Sequence, residues 1–400
     1  MSDVYSDQNG NAPLHPANGG LAQADPSVAP VGMPAGVPGF AGASPGSLRP
    51  GFSPVMAFAG RAFGDMAGMM TALMGIIGER LGLFRVLAAM GPASVDEFAR
   101  AASVDPRYAR GWLHALVSAG YLTFDAEEGR YALPQFHAPF LVNEKNPLFI
   151  GGGYQQLAAF IGQVDRLVGA FRTGAGIPQQ DYDRVLIEGM DRISARWFDY
   201  QLVQQWLAAL PEVVQRLQGH ARVADIGCGS GRAVIRLAEA FPTSSFVGFD
   251  SFAPAVSYAR LAAEKARVGA RARFEVRDIA DGLPDSYDLI TAFDVLHDLN
   301  DPVAGLSAMT RALKDDGAIV VLEVAVSGNL NENLGPMATI LHGTALLYGI
   351  PVSIANGGRG GGTTSMPPGR LEQIAVAAGL RLVKRVAVDT PWNAVYELRR

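Results

Sequence analysis

The sequence predicts an α/β protein: a doubly wound sheet closed by a terminal antiparallel strand pair over residues 220–400, behind a mostly helical N-terminal part. Three observations carry this reading. Val223-Ala-Asp-Ile-Gly-Cys-Gly-Ser-Gly-Arg232 reads as a buried strand, a tight glycine turn and the start of a helix. Strand and helix patterns then alternate, as the layers of a doubly wound sheet require. Asp250 and Asp278 fall at the ends of the next two strands, the edge where open α/β sheets bind ligands.

Length and composition set the bounds. Four hundred residues are enough for two domains with sizeable cores and a tail. A formal charge of −5 gives no bulk electrostatic reason to bind nucleic acid or an anionic membrane. The single cysteine, Cys228, rules out a disulfide framework and points to a reducing cytoplasm. Its place in the glycine turn marks it as a small filler rather than a reactive thiol. The N-terminus has neither the basic nor the apolar region of a signal peptide. Met66–Ile77 reads as the longest apolar run and is too short to span a bilayer, so a soluble chain is expected.

Taken in order, residues 1–52 are rich in Pro, Gly, Ala and Ser without apolar periodicity, and read as a disordered tail. Residues 53–140 read as a winged-helix-like dimerisation domain. It opens with a Met-rich helix whose apolar positions, Met56, Ala59, Phe63, Met66, Met70, Leu73 and Ile77, recur every three or four residues. Such a helix is either amphipathic or fully buried, and suits a homodimer contact. Three helices follow. Leu81–Met90 is the first; Ser94–Ala102 carries a Ser94/Glu97 capping box; Asp105–Ala119 ends at Gly120. Tyr121–Asp125 and Arg130–Leu133 form a hairpin wing around a charged turn.

Between residues 79 and 134 six basic residues face seven acidic ones, and the wing carries Asp125, Glu127 and Glu128. Phosphate contacts supply most non-specific DNA affinity, so this module is poorly equipped for a duplex. Dimerisation and a lid over the substrate are the favoured roles, with His114 a packed surface residue. Residues 141–219 read as a helical connector and lid, with Trp197, Phe198, Trp206 and Leu207 as core. The loop Gly174–Tyr182 interrupts it, and Tyr182 is its candidate ligand contact.

Residues 220–400 hold the core. Gly227, Gly229 and Gly231 admit positive φ and bring a ligand against the main chain, while the following helix N-terminus favours a negative group. A dinucleotide fingerprint needs a third glycine where Arg232 stands. Asp250, at the tip of the second strand, is placed to accept two ribose hydroxyls, with Ser251 beside it. His297, just past the fourth strand, is the candidate base, and Asp298 a candidate to orient it. His342, in an insertion after the fifth strand, is a candidate acceptor contact. Asn356–Thr364 lacks the Lys-Ser/Thr of a phosphate loop and reads as a lid hinge. The dispersed histidines and the absence of a ligand-spaced cluster argue against a metal site.

Asp225-x-Gly-x-Gly-x-Gly231 resembles motif I of class I S-adenosylmethionine (SAM)-dependent methyltransferases, whose sheet is Rossmann-like and also ends in an antiparallel pair. The resemblance covers roughly 220–400. It implies that Asp225 faces the methionine end of the cofactor, that Asp278 accepts from the adenine amine with Ile279 against the ring, and that Phe293 packs on the adenine or the sulfonium. Phe293-Asp-Val-Leu-His-Asp298 and Asp389-Thr-Pro-Trp-Asn-Ala-Val-Tyr-Glu397 resemble bacterial winged-helix methyltransferases related to small-molecule O-methyltransferases, over about 80–400. There a His in a V-L-H-D-W-like segment is the base. Here Leu299 replaces the Trp, and Asn300-Asp301 shifts the acidic pattern. The resemblance implies a cytoplasmic homodimer that methylates a small molecule at oxygen. N- or C-methylation by positioning alone, a SAM-sensing DNA-binding regulator and a nicotinamide oxidoreductase are the alternatives.

Overall fold

A computed structural model describes residues 54–146, 148–388 and 393–400. The tail over 1–52 and residues Asp389 to Trp392 of the C-terminal motif lie outside the described residues. The chain divides into two compact units, Met1–Gly64 and Asp65–Arg400.

Helix α1 (Pro54–Leu81) carries the Met stripe. Met66, Met70 and Ile77 are exposed, so the stripe is amphipathic rather than fully buried. Burial starts at Leu73 and Ile76, which join the winged-helix core. Gly82, left-handed at φ 67°, breaks α1 from α2 (Leu83–Met90). That is why the helix expected from Leu81 starts later. In α3 (Val95–Ala102) the capping box forms: Ser94 N–H donates to Glu97 Oε2 at 2.9 Å, and Glu97 N–H to Ser94 Oγ at 3.4 Å. Helix α4 (Pro106–Ser118) is capped by Asp105. Strands β1 (Thr123–Asp125) and β2 (Arg130–Ala132) pair antiparallel as the wing. His114 Nε2 meets the wing's Tyr131 hydroxyl at 2.8 Å, so this histidine ties α4 to the wing.

The connector holds α5 (Ala138–Leu141), α6 (Gly151–Ile161), α7 (Val164–Thr173), α8 (Arg184–Arg196), a π-helical segment Trp197–Leu207 and α9 (Pro211–Gln218). Helices α6 and α8 cross where neither has a side chain. A Cβ on Gly152 would stand 2.7 Å from the Gly189 carbonyl oxygen, too close to exist. Trp206 and Leu207 are fully buried, while Trp197 and Phe198 are half-buried against the same core.

The sheet domain runs β3 (Arg222–Ile226), α10 (Arg232–Ala240), β4 (Ser245–Asp250), α11 (Ala253–Lys265), β5 (Ala272–Val276), β6 (Tyr287–Phe293), α12 (Pro302–Ala312) and β7 (Leu313–Val324). An insertion follows: α13 (Pro336–Thr344), a π turn Ala345–Gly349 and α14 (Ile350–Ala355). The chain ends with α15 (Pro368–Ala377), β8 (Arg381–Val386) and β9 (Asn393–Arg399). Strand order is β5-β4-β3-β6-β7-β9-β8, with β3 to β7 parallel and β9 antiparallel between β7 and β8. Alternate residues feed two cores, one under α9–α11 and one under α12 and α15.

Two expectations are corrected. The turn placed at Lys314–Gly317 lies inside β7, whose pairing with β6 shifts register between Tyr287 and Leu289 to absorb it. Met66–Ile77 is also not the longest apolar stretch. Pro336–Ala355 runs 20 residues at a mean hydropathy of 1.4, long and apolar enough to cross a bilayer by length and composition, with a third of its most apolar window buried. Its last turns pack inside the unit, because Ile177 N–H donates to the Pro351 carbonyl at 3.0 Å.

Candidate active site

The glycine turn between β3 and α10 has φ of 67°, 51° and 79° at Gly227, Gly229 and Gly231, the left-handed region that only glycine enters cheaply. At Gly229 a Cβ would meet no atom within 4 Å, so this side of the turn is open to a ligand. At Gly227 a Cβ would strike Val295 at 2.3 Å. The segment after β6, which carries His297, therefore lies directly on the turn. Cys228 is buried there, and burial pushes its thiol up, away from reactivity.

Asp250 ends β4 and already organises the turn. Its Oδ2 accepts from Gly229 N–H at 2.9 Å and its Oδ1 from Phe252 N–H at 2.8 Å. Each oxygen keeps a lone pair for a hydroxyl donor. Burial holds its carboxyl above the ordinary range. Asp225 lies beneath the turn, 2 % exposed, with Thr291 Oγ1 donating to it at 2.6 Å. Burial, aided by the charge of Asp250 and opposed by the Thr291 bond, pushes it up to about 7. Asp278 is exposed beyond β5 and caps its own turn through Ala280 N–H at 2.9 Å, while Ile279 is buried beside it. Ser251 is exposed next to Asp250.

Phe293 lies in the core under α9–α11, in the cluster that also holds Cys228 of the glycine turn. It is 6 % exposed, with its ring centroid 5.7 Å from Phe198 and 6.3 Å from Trp206. The pleat explains this: Leu289 and Phe293 point into the core under α9–α11, while Ile290 and Ala292 point the other way.

His297 is 5 % exposed on the turn after β6. Its Nδ1 meets Glu323 Oε2 at 2.6 Å, and Glu323 Oε1 accepts from Leu296 N–H at 2.9 Å. Glu323 is fully buried in β7, so one carboxylate fixes both the imidazole and the backbone that bears it. Asp298 Oδ1 is 3.6 Å from Nε2, too long for a hydrogen bond. The orienting residue is therefore Glu323, and the role offered to Asp298 is corrected. Burial works against a charged imidazole, but Glu323 first, then Asp298 and Asp294, outweigh it and hold the pKa well above 6.5.

Asp294 completes this cluster. It follows β6 in a left-handed conformation (φ 59°) that non-glycine residues adopt uncommonly, Asp more readily than most. Asp294, His297 and Glu323 offer ligand atoms within 4.8 Å of one another, so a His–carboxylate cluster does exist, contrary to the sequence reading. The 2.6 Å between Nδ1 and Oε2 is shorter than the roughly 3.3 Å separating two ligands of a tetrahedral ion. The pair shares a proton.

Two further segments bound the site. Asp191 of α8 accepts from the Ser230 hydroxyl of the glycine turn and pairs with Arg232 at 3.1 Å, fastening the connector to the turn. The glycine-rich loop 356–362 is pinned as well: Asn300 Nδ2 donates to the Asn356 carbonyl at 2.7 Å, and Gly361 approaches the His297 carbonyl. The stretch read as a lid hinge is thus tied to the His297 segment. Tyr182 is buried and its hydroxyl donates to the Leu347 carbonyl at 2.8 Å, leaving only its ring for a ligand. That ring stands edge-on to Tyr348 at 5.2 Å. Burial, then the carboxylates of Asp298 and Asp250, push the Tyr348 phenol up. His342 Nδ1 contacts Thr364 Oγ1 at 3.3 Å, and its buried Nε2 has no partner.

Glu323, Thr291, Tyr348 and Asp191 were not singled out from the sequence. Glu323 had a readable signal: it is the only charge in the apolar strand Ala318–Val324. The others become visible only through tertiary contacts.

The residues fit SAM. An open glycine face lies beside a carboxylate at the β4 tip, and the imidazole segment rests against the same turn. Gly227, Gly229, Gly231, Asp225 and Asp250 are the residues that would hold the cofactor, which when bound supplies an electrophilic methyl group.

Comparison with known proteins agrees. The model of a methyltransferase domain matches residues 217–347, and that of an Rv2258c-like winged helix-turn-helix domain matches residues 69–143. A 3-hydroxy-5-methyl-1-naphthoate 3-O-methyltransferase of Streptomyces sahachiroi is 30 % identical over 281 residues, 67 % of this chain and 77 % of the relative. Among solved structures, the mitomycin 7-O-methyltransferase MmcR superposes with a TM-score of 0.65 at 20 % identity, over 86 % of this chain and 99 % of that one. An O-methyltransferase of neocarzinostatin biosynthesis, solved with S-adenosylhomocysteine (SAH) and 1,4-dihydroxy-2-naphthoic acid, gives 0.59 at 22 % identity, over 85 % and 98 %. With its winged helix, mixed seven-stranded sheet and glycine turn, the chain belongs to the bacterial small-molecule O-methyltransferases that use SAM.

Proposed function

We propose that this enzyme methylates a hydroxyl oxygen on a planar aromatic small molecule, with His297 as general base. The observation that carries the reading is the His297–Glu323 pair on the turn against Gly227. With Glu323 holding the Nδ1 proton, Nε2 is free to take the proton of an acceptor hydroxyl as its oxygen attacks the methyl. The raised pKa makes this imidazole a stronger base than a free one, which suits a phenol.

The acceptor side is aromatic and apolar. Phe160 of α6, Leu186 and Met190 of α8, Tyr182 and Tyr348 form one cluster. His342 and the ring of Tyr182 are its proposed acceptor contacts. Asp225, Asp250, Ser251, Asp278 and Ile279 are the proposed cofactor contacts, and Asp298 is the carboxylate beside Nε2. The relative acting on a hydroxynaphthoate and the neighbour holding a dihydroxynaphthoic acid support an acceptor of this shape. Incubation with SAM and a panel of hydroxynaphthoic acids should yield O-methyl ethers and SAH. Methylation at ring carbon, or of amine analogues only, would remove the oxygen assignment.

The enzyme is further proposed to work as a cytoplasmic homodimer. The exposed Met66, Met69 and Met70 of α1 support a self-contact. The wing's Asp125, Glu127 and Glu128 are exposed and of the wrong sign for a duplex. Sedimentation equilibrium is expected to give twice the chain mass, and Met66→Asp with Met70→Asp to halve it. A monomeric wild type refutes this.

A further inference from the structure

We propose that Gln163 selects acceptors carrying a second hydrogen-bond donor, on a ring remote from the hydroxyl that is methylated. This deepens the proposed function and rests on its aromatic acceptor. Gln163 sits between α6 and α7, 6 % exposed. Its Nε2 donates to the backbone carbonyl of Asp181 at 3.0 Å. Asp181 is itself held by Arg166, whose guanidinium meets its carboxylate at 2.7 Å. An amide facing a carbonyl must present its NH2, so the orientation of Gln163 is fixed and Oε1 points away. That Oε1 is buried and has no partner.

A buried amide oxygen left unpaired is costly, and native structures rarely keep one without a reason. Here the surroundings supply the reason. Phe160 precedes Gln163 and Leu167 follows it, and both belong to the cluster with Tyr182, Leu186 and Tyr348. Asp298 lies 3.6 Å from His297 Nε2 and its charge reaches the Tyr348 phenol; the Tyr348 ring stands against Tyr182, the chain neighbour of Asp181, whose carbonyl holds Gln163. Gln163 thus lies at the opposite end of the acceptor side from the base. An acceptor with its reacting hydroxyl at His297 would reach Oε1 only from a far substituent. Oε1 can only accept, so that substituent must donate: a second hydroxyl or an N–H. A ring bearing hydrogen or methoxy there would leave the oxygen orphaned, and selectivity follows from that loss.

The test is calorimetric binding to the SAH-loaded protein of two probes: a naphthol, and the dihydroxynaphthalene with its second hydroxyl on the other ring. The wild type is expected to prefer the diol by about 10-fold or more, and Gln163→Met to bring the two within about twofold at unchanged melting temperature. Gln163→Asn, one methylene shorter, is expected to lose the same preference and serves if the Met variant fails to fold. Equal weakening of both probes with the preference intact would assign Gln163 a purely structural role and overturn the inference, as would a wild type without preference. Failure of both probes to bind the wild type would overturn the aromatic-acceptor reading and this inference together.

Discussion

His297→Ala is expected to lower turnover on a hydroxylated aromatic acceptor by about 10²–10⁴-fold, the range lost with a general base. SAH affinity should stay within about twofold, because the imidazole sits on the acceptor side of the turn. Single-turnover kinetics with calorimetric SAH titration separates the two quantities. Unchanged turnover would mean that holding donor and acceptor in line supplies the whole acceleration. Loss of SAH binding would mean that His297 supports the turn through Val295 rather than the chemistry.

Glu323→Gln should be nearly as damaging, and in a different way. The amide keeps an oxygen for the Nδ1 proton but removes the nearest negative charge, so turnover at high pH should drop on the order of 10²-fold as the imidazole becomes a weaker base. The pH profile should also move. Activity requires neutral Nε2, and the carboxylates of Glu323, Asp298 and Asp294 hold the imidazolium pKa above 6.5, so the wild-type rate falls as pH drops through a value above 6.5. Without Glu323 the imidazolium is less stable, and burial adds to the effect, so the fall moves to lower pH. A profile of kcat/KM against pH checks the sign. An inflection that stays put would show that Glu323 serves only to pack β7.

Much of this site was legible before any coordinates. Three glycines on alternate positions announce a turn that needs positive φ, and aspartates at strand ends announce ligand contacts, because these are backbone constraints written locally. Asp225 and Asp250 are read that way, and His297 from its place just past the fourth strand; their roles are proposed. Glu323 was readable in principle as a charge in a strand that should have none, but its partner lies 26 residues away and only the β6–β7 pairing brings the two together. Phe293 ends β6 in the core cluster that holds Cys228 of the glycine turn, but its ring partners Phe198 and Trp206 come from the π-helical segment, which no local pattern announces. Helix α8 fastens to the glycine turn through Asp191, and the insertion folds back over His297. Both depend on long-range packing that no periodicity records.

The proposed acceptor cluster is built from α6, α8 and the insertion around Tyr348, none of which belongs to the sheet. The proposed base, its carboxylate and the glycine turn all belong to strand ends. Chemistry and choice of substrate are therefore written in separate parts of the chain. Substitutions in the connector and insertion can redirect the enzyme to a new acceptor while the reaction itself is inherited unchanged, which makes this architecture readily evolvable.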